Sequence, residues 1–389
     1  MLAPDVAVVT AVPTDGVYAY VHDPGIARLD DGRLVCAVPI WSKASAASPG
    51  PWAVTTRILV SDDGGASFAM TSELPCSDAT PFVHQGALYM FVQPSQWQGW
   101  QIVASRDRGA TFTPPVDLFS GGVPGCGGRI LWNCQSPLIA LPGRIVWALQ
   151  ACAPDWTAAS VVLLVGDTSR DLADPAAWTL SAPLGRPATP AALDPGLPRF
   201  GWPVDAWLEP NVVSVGGKLR VLSRTILDGY AAANLAVVSD VVAEPAGLSL
   251  GPARFVAMPG GQNKFFILRD EPSRAFWMLS NLAADPEGAI FDWNAIRAAG
   301  HFANGPGNDR RFLMLWYSVD AMSWFPAGCV ARAERLDQSF MYPCAVVDGA
   351  DLVVLSRTSR GGRNQHDADA ATLHRVRDFR ALAMNLYPT

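Results

Sequence analysis

A strand–turn–strand unit recurs along the 389-residue chain and constrains its fold more than any other feature. Each copy has an apolar run, a short turn and a second apolar run, which is the pattern of an antiparallel hairpin. The copies cover residues 24–39, 81–93, 137–150, 210–224, 264–281 and 343–357. Their spacing of roughly 50–80 residues leaves room for four strands and loops. The repeat therefore predicts an all-β, six-bladed β-propeller, with residues 1–389 forming one domain.

The composition agrees with this fold. Half of the residues are hydrophobic and only 16% are charged, so the chain can bury a large core. The 34 Gly and 32 Pro suit many short strands joined by tight turns. Only the stretch 286–300 is predicted as a short helix, in an inserted loop.

A second repeat has the pattern Ser-x-Asp-x-Gly-x-Ser/Thr-aromatic. It reads SDDGGASF at 61–68 and SRDRGATF at 105–112, with degraded copies at 318–324 and 169–178. The Ser and Asp side chains are predicted to bond backbone amides across a tight turn in which Gly takes a positive φ. The predicted role of these turns is structural.

The two repeats together resemble the sialidase superfamily of Asp-box (BNR-repeat) β-propellers, and the resemblance covers nearly the whole chain. That superfamily includes glycoside hydrolases and some polysaccharide lyases. The resemblance implies a carbohydrate substrate and a site at one axial end of the propeller.

The residues themselves predict a polar rim at the axis. The position before each first strand and the position ending each second strand meet at the same end of a hairpin. These positions carry mostly polar side chains, which are costly on apolar strands unless they line a wet site. They are Asp23, Thr80, Ser136, Glu209, Asn263 and Tyr342, and then Pro39, Gln93, Gln150, Arg224, Asn281 and Arg357. Five of the six units begin with Pro, which predicts an extended backbone at the preceding residue.

The resemblance implies roles for several rim residues. WLEPNVVSVGGKLRVLSR is similar to the sialidase blade with a Glu before one strand and an Arg ending the next, which are Glu209 and Arg224 here. SFMYPCAVVDGADLVVLSR is similar to the segment with the nucleophilic Tyr, which is Tyr342. Glu209 would act as its base, because a phenol is a poor nucleophile at neutral pH. A further family Arg corresponds to Arg310 or Arg311.

Two departures from the family pattern alter the expected chemistry. The first clamp Arg is replaced by His22 in YVHDPGI, and residues 41–60 hold no Asp or Glu for the usual general acid. A uronic, deoxy or other acidic sugar is therefore expected rather than sialic acid. His22 beside Asp23 and His366 beside Asp367 are candidate acid–base groups, because an imidazole next to a carboxylate can titrate near neutral pH.

The remaining candidates are assigned to substrate binding. Arg224, Arg310, Arg311 and Arg357 could clamp an anionic or hydroxyl-rich group. The other polar candidates are Gln93, Gln150, Asp78 and Asp205, and the candidates for stacking on a sugar ring are Trp132, Trp202 and Trp207. The run NQHDAD matches no firm metal-ligand spacing, so neither a metal nor a cofactor is expected.

The leading prediction is an exo-acting glycoside hydrolase, with a polysaccharide lyase and a non-catalytic carbohydrate-binding propeller as alternatives. The partner would be an oligosaccharide or a glycoconjugate, and nothing in the sequence indicates an oligomeric state. The net charge of −6 argues against nucleic acid, and no apolar stretch is long enough for a membrane span. Seven Cys without a CxxC pair and no recognisable signal peptide favour the cytoplasm, unless a leader has been removed.

Overall fold

The computed structural model describes residues 1–48, 52–94, 99–119, 130–152, 160–185, 206–226, 234–244, 247–286, 288–299 and 306–388. These residues form six antiparallel sheets, each built around one of the predicted hairpins. The all-β, six-bladed propeller is confirmed.

The strands follow the chain sheet by sheet, after a first strand β1 (Val6–Ala11). The first sheet holds β2 (Tyr18–Val21), β3 (Gly25–Arg28), β4 (Leu34–Lys43), β5 (Ala53–Ser61) and β6 (Ala69–Leu74). The second holds β7 (Ala79–His84), β8 (Ala87–Val92), β9 (Gln101–Ser105) and β10 (Val116–Asp117). The third holds β11 (Ile130–Trp132), β12 (Ile139–Leu141), β13 (Arg144–Cys152), β14 (Ser160–Asp167), β15 (Trp178–Leu180) and β16 (Leu184–Gly185).

The other three sheets are more regular. The fourth holds β17 (Ala206–Val215), β18 (Lys218–Ile226), β19 (Leu235–Glu244) and β20 (Gly247–Ala257). The fifth holds β21 (Phe266–Arg269), β22 (Phe276–Asn281), β23 (Phe312–Ser318) and β24 (Phe325–Arg332). The sixth holds β25 (Ser339–Asp348), β26 (Asp351–Ser359) and β27 (Ala370–Val376), and β1 pairs with β27. The first strand of the chain thus completes the last sheet.

The helical segments are short. The α-helix α1 (Trp293–Ala298) lies in the insertion between β22 and β23, where the sequence predicts a helix. The 3-10 turns are Pro175–Ala177, Pro306–Asn308 and Phe379–Leu382. In the described ranges, no helix is long and apolar enough to cross a membrane.

The strands β3, β7, β12, β17, β21 and β25 surround the axis. Contacts join β25 to β3, β3 to β7, β12 to β17, β17 to β21, and β21 to β25. Apolar side chains from neighbouring sheets pack between the blades, for example Leu34 with Leu355 and Leu373. This packing fixes the positions of the strand ends that surround the axis.

The Ser–Asp turns carry internal hydrogen bonds. Asp63 accepts bonds from the amide of Ser67 at 2.9 Å and from the hydroxyl of Ser61 at 2.7 Å. The turn containing Asp107 has equivalent bonds, and the pattern glycines Gly65 and Gly109 have φ values of 94° and 84°. The bonds lie within each turn, as a structural role requires.

Candidate active site at the axial rim

The six rim positions before the inner strands are all buried, and two of them lie on β-bulges. The pairing of β17 with β18 skips from Leu208 to Asn211, and that of β25 with β26 skips from Met341 to Cys344. Each bulge holds a residue followed by Pro: Glu209 in β17 and Tyr342 in β25.

The backbone at these two bulges differs from the sequence prediction. Glu209 has a φ of 52° and Tyr342 a φ of 48°, so the expected extended conformation is wrong at both. The extra residue of a bulge takes the chain out of the pleat and re-aims its side chain. A left-handed non-glycine residue costs about 1–3 kcal/mol and is typical of functional sites. The structure thus places strain at the two residues for which the resemblance implies catalysis.

Three buried arginines surround Tyr342. The guanidinium carbons of Arg310 and Arg357 each lie 5.2 Å from the centre of the Tyr342 ring. Arg224 binds both carboxylate oxygens of Glu209, at 3.0 and 3.1 Å. The arginines come from three different blades, so the rim concentrates positive charge around one phenol.

The three arginines differ in their partners. Arg224 is paired with Glu209, and Arg357 donates to Asp23 Oδ1 at 3.2 Å. Among the described residues, the guanidinium of Arg310 donates only to Asn308 Oδ1 at 2.8 Å and to Met341 Sδ at 3.0 Å. Arg310 is buried, with only 4% of its surface exposed, yet it has no carboxylate partner within the described residues. Burial and the like charges of Arg224 and Arg357 lower the pKa of the Arg310 guanidinium.

Tyr342 is itself buried and faces Glu209. Burial raises the pKa of its phenol, and the negative charge of Glu209 raises it further. No described residue forms a hydrogen bond with the hydroxyl, so this group is available to a ligand. Glu209 Oε1 also accepts a hydrogen bond from the thiol of Cys134, with a distance of 3.6 Å between the sulfur and the oxygen.

His22 lies between two carboxylates. Its Nδ1 is 3.0 Å from Asp78 Oδ1 and 3.5 Å from Asp23 Oδ2. The ring stacks on Trp41, with centroids 4.2 Å apart. Trp132 donates to the other oxygen of Asp78 at 3.3 Å.

Asp23 and Asp78 respond differently to this environment. Burial raises the pKa of Asp78, and the charge of Asp23 adds to that rise. Burial alone would raise the pKa of Asp23 too, but His22 and Arg357 together lower it. Asp78 is therefore the carboxylate of this cluster that more readily keeps a proton.

His366 and Asp367 form a second imidazole–carboxylate pair at the rim. His366 Nδ1 lies 2.8 Å from Asp367 Oδ1 and 3.4 Å from Arg357 Nη2. Asp367 also accepts hydrogen bonds from the hydroxyl of Tyr18 and the side-chain amide of Asn364. Burial and the charge of Arg357 lower the pKa of His366 to about 4, so its imidazole is neutral at physiological pH.

A buried lysine lies below the rim, on the channel axis. Lys264 Nζ donates to the carbonyl of Gln135 at 3.1 Å and to that of Pro343, and it is 3% exposed. The side chain of Gln135 reaches across to the carbonyl of Ala79 at 2.6 Å. A cavity of about 440 Å³ lies on the side of the hairpin turns, with Gln135 and Phe266 in its wall. Gln135 and Lys264 thus separate the rim from the other end of the channel.

Other predicted binding residues have structural partners. Gln93 donates to the carbonyl of Leu131, and Gln150 accepts the amide of Glu209 at 2.8 Å, so Gln150 positions Glu209. Arg311 forms a bidentate pair with Asp309, with contacts down to 2.7 Å. Because Arg311 is paired with Asp309, Arg310 is the better candidate of the two arginines predicted for the site.

The tryptophan candidates also differ in their positions, one lying in the core and one at the rim. Trp207 is 1% exposed and packs in the apolar cluster between the third and fourth sheets. Trp132 contacts Asp78 at the rim. Asp205 and Trp202 lie outside the described residues.

Sequence reasoning missed three residues at the rim or directly below it. Lys264, Trp41 and Tyr20 were not predicted, yet Trp41 stacks on His22, and Arg357 lies 5.1 Å from the Tyr20 ring. Lys264 follows the predicted Asn263, and a lysine opening an apolar inner strand was the available signal. The two aromatic residues stand on β2 and β4 among other apolar residues, so no local pattern separates them from core residues.

His22, Asp23 and Asp78 also form the one group of three potential metal ligands found among the described residues, with ligand atoms within 4.8 Å of one another. Arg357 already binds one Asp23 oxygen, and Trp132 one Asp78 oxygen. The 3.0 Å contact between His22 and Asp78 is a normal hydrogen-bond length. We therefore interpret the cluster as hydrogen-bonded.

The sequence matches no protein-family model, and a search of curated proteins finds no match either. Solved structures do match over nearly the whole chain. One is a protein of unknown function from Dyadobacter fermentans, with a TM-score of 0.60 and 14% identity, covering 96% of this chain and 98% of that one.

Two further matches are enzymes bound to sugars. An α-L-arabinanase from Penicillium chrysogenum complexed with arabinobiose has a TM-score of 0.59 and 13% identity, over 97% of this chain and 99% of that one. A Trypanosoma rangeli sialidase in complex with sialic acid has a TM-score of 0.59 and 15% identity, over 98% of this chain. The match spans only 60% of that sialidase. At these identities the likeness shows the propeller fold.

Proposed function

We propose that this protein is a carbohydrate-active enzyme, an exo-acting glycoside hydrolase that removes an acidic sugar at the axial rim. The observation that carries this proposal is Arg310, a buried cation without a carboxylate partner in the described parts of the chain. A buried unpaired charge is costly, so its retention favours an anionic ligand. The sugar-bound enzymes with the same fold support a carbohydrate as that ligand.

In the proposed reaction Tyr342 is the nucleophile. Its oxygen attacks the anomeric carbon as the bond to the leaving oxygen breaks, and its proton passes to Glu209. Burial and Glu209 oppose formation of the phenolate, whereas the nearby Arg310 and Arg224 favour it. Water then displaces the tyrosine, which recovers its proton, so the net reaction adds one water molecule.

The proposal is tested by a screen of oligosaccharides that end in uronic, deoxy or nonulosonic sugars, read by mass. We expect one terminal sugar to be released with a gain of 18 Da in total product mass, and Tyr342→Phe to abolish the release. The matched control is Tyr89→Phe, which changes a buried tyrosine in an apolar cluster away from the rim. Release at the same rate by Tyr342→Phe would contradict the proposal.

A polysaccharide lyase is the second candidate. It is supported by the position of the Tyr342 phenol and the His366 imidazole next to Arg357, since Tyr and His could remove a proton next to a uronate carboxylate. In that case no water is added, and the product absorbs in the near ultraviolet through its new double bond. Absorbing products without a mass gain would favour this reaction over hydrolysis.

A further inference from the structure

The two imidazole–carboxylate pairs at the rim are built from the same residue types but have opposite surroundings. His22 Nδ1 faces the oxygens of Asp78 and Asp23, and no described cation contacts the ring. His366 Nδ1 faces Asp367 on one side and the guanidinium of Arg357 on the other. The two rings therefore differ in the charges that face Nδ1, which are two carboxylates for His22 but a carboxylate and a guanidinium for His366.

The His22 ring is held so that one nitrogen remains for a ligand. Nδ1 is enclosed by the two carboxylates, and stacking on Trp41 fixes the ring plane with an interplanar angle of 19°. Nε2 has no hydrogen-bond partner among the described residues, and the side chain is 10% exposed. A carboxylate that binds one ring nitrogen sets the tautomer and directs proton exchange through the other.

Asp78 is better placed than Asp23 to support His22. Its second oxygen is held by Trp132, a neutral donor, whereas that of Asp23 is held by the charged Arg357. The Nδ1 contact is also shorter to Asp78, at 3.0 Å against 3.5 Å. Asp23 therefore belongs with Arg357, and Asp78 with His22.

We propose that the His22–Asp78 pair supplies, through His22 Nε2, the proton that the leaving glycosidic oxygen takes up. This inference rests on the proposed hydrolase function, and it fills the place of the general acid that the 41–60 segment lacks. His22 is the catalytic residue, and Asp78 is a positioning residue that also shares the proton.

The proton balance of the step is closed. In its donating form the pair holds two protons, one between Asp78 and Nδ1 and one on Nε2. As the bond between the anomeric carbon and the leaving oxygen breaks, that oxygen takes the Nε2 proton, and one proton remains on Nδ1 beside the Asp78 carboxylate. The attacking water later returns a proton to Nε2.

The first test compares leaving groups, using glycosides of the sugar found in the screen. His22→Gln and Asp78→Asn should lose about 10²- to 10⁴-fold in kcat/KM on a sugar leaving group, which needs protonation. They should lose less than about tenfold on a dinitrophenyl leaving group, which does not. The matched control is His366→Gln, which should affect both substrates equally. An equal loss on both substrates in His22→Gln would overturn the inference.

The second test does not depend on activity. Nitrogen-15 NMR of the ring at high pH should show the His22 proton on Nδ1 in the wild type, and on Nε2 in Asp78→Leu. A wild-type proton on Nε2 would overturn the inference even if glycosides are cleaved. A proton on Nδ1 in a protein that cleaves no glycoside would instead refute the hydrolase, and with it the proton transfer, while the hydrogen-bonded pair would stand.

Discussion

Arg310 and Arg357 lie equally far from the Tyr342 ring, at 5.2 Å, yet their removal should have opposite effects on stability. Arg310→Met removes a buried cation that has no carboxylate partner among the described residues. Replacing such a charge by an apolar side chain of similar size gains about 1–3 kcal/mol, and losing its bonds to Asn308 and Met341 costs about 1 kcal/mol. We expect the ligand-free variant to be unchanged or stabilised by about 1–2 kcal/mol.

Arg357→Met leaves Asp23 buried without its partner at 3.2 Å. Breaking a buried pair in this way costs about 3–5 kcal/mol. The two variants should therefore differ by at least about 3 kcal/mol in the free energy of unfolding, measured by urea titration with linear extrapolation. Arg310→Met should also lose most of its turnover of the acidic substrate.

An Arg310→Met variant destabilised as strongly as Arg357→Met would contradict this expectation. Arg310 would then have a compensating partner within the protein, and the case for an anionic ligand would fall. If Arg310→Met were stabilised but turned over the acidic substrate at the normal rate, the Arg310 charge would not be needed for that activity, which would also contradict the proposal.

Further predictions concern the buried polar groups and the floor of the site. Arg224→Met should lower the free energy of unfolding by about 3–5 kcal/mol, because it leaves the Glu209 carboxylate buried without its partner. Adding Glu209→Gln to Arg224→Met should recover most of that loss, because the carboxylate is then absent. Additive losses in a double-mutant cycle would contradict this. Burial lowers the pKa of His374 to about 4 from 6.5, so its neutral form stabilises the fold above pH 6.5 and about 3 kcal/mol is lost as the pH falls to 4. His374→Gln should flatten urea-unfolding stability across that range, and an unchanged slope would refute the assignment. Gly25→Ala would place a methyl group 2.4 Å from Gln135 Oε1 and 2.9 Å from the carbonyl of Ala79, so we expect a loss of about 1–3 kcal/mol, and a neutral result would contradict the close packing at the axis.

The fold was predictable because its signal is repeated. Each hairpin carries its own alternation and turn, and the spacing between copies limits the architecture to blades around an axis. The rim positions of Glu209 and Tyr342 followed from their place before a strand. Their left-handed backbone did not, because a bulge arises from the pairing of two strands and leaves no mark in one of them.

Contacts across blades were the least predictable part of the site. Asp78 was expected to bind substrate, and the structure places it against His22, 56 residues away in the sequence. Asp23 was expected to support His22; it lies 3.5 Å from His22 Nδ1 and also binds Arg357, 334 residues away. Such choices between neighbouring carboxylates depend on the ring of blades closing, which local sequence does not encode.

A crystal structure of Tyr342→Phe with the released sugar would show whether an acidic sugar binds at the axial rim. The expected result is that the sugar's acidic group lies within hydrogen-bond distance of Arg310 and that its anomeric carbon lies next to residue 342. A sugar bound in the cavity at the other end of the channel, or one whose acidic group lies away from Arg310, would contradict it.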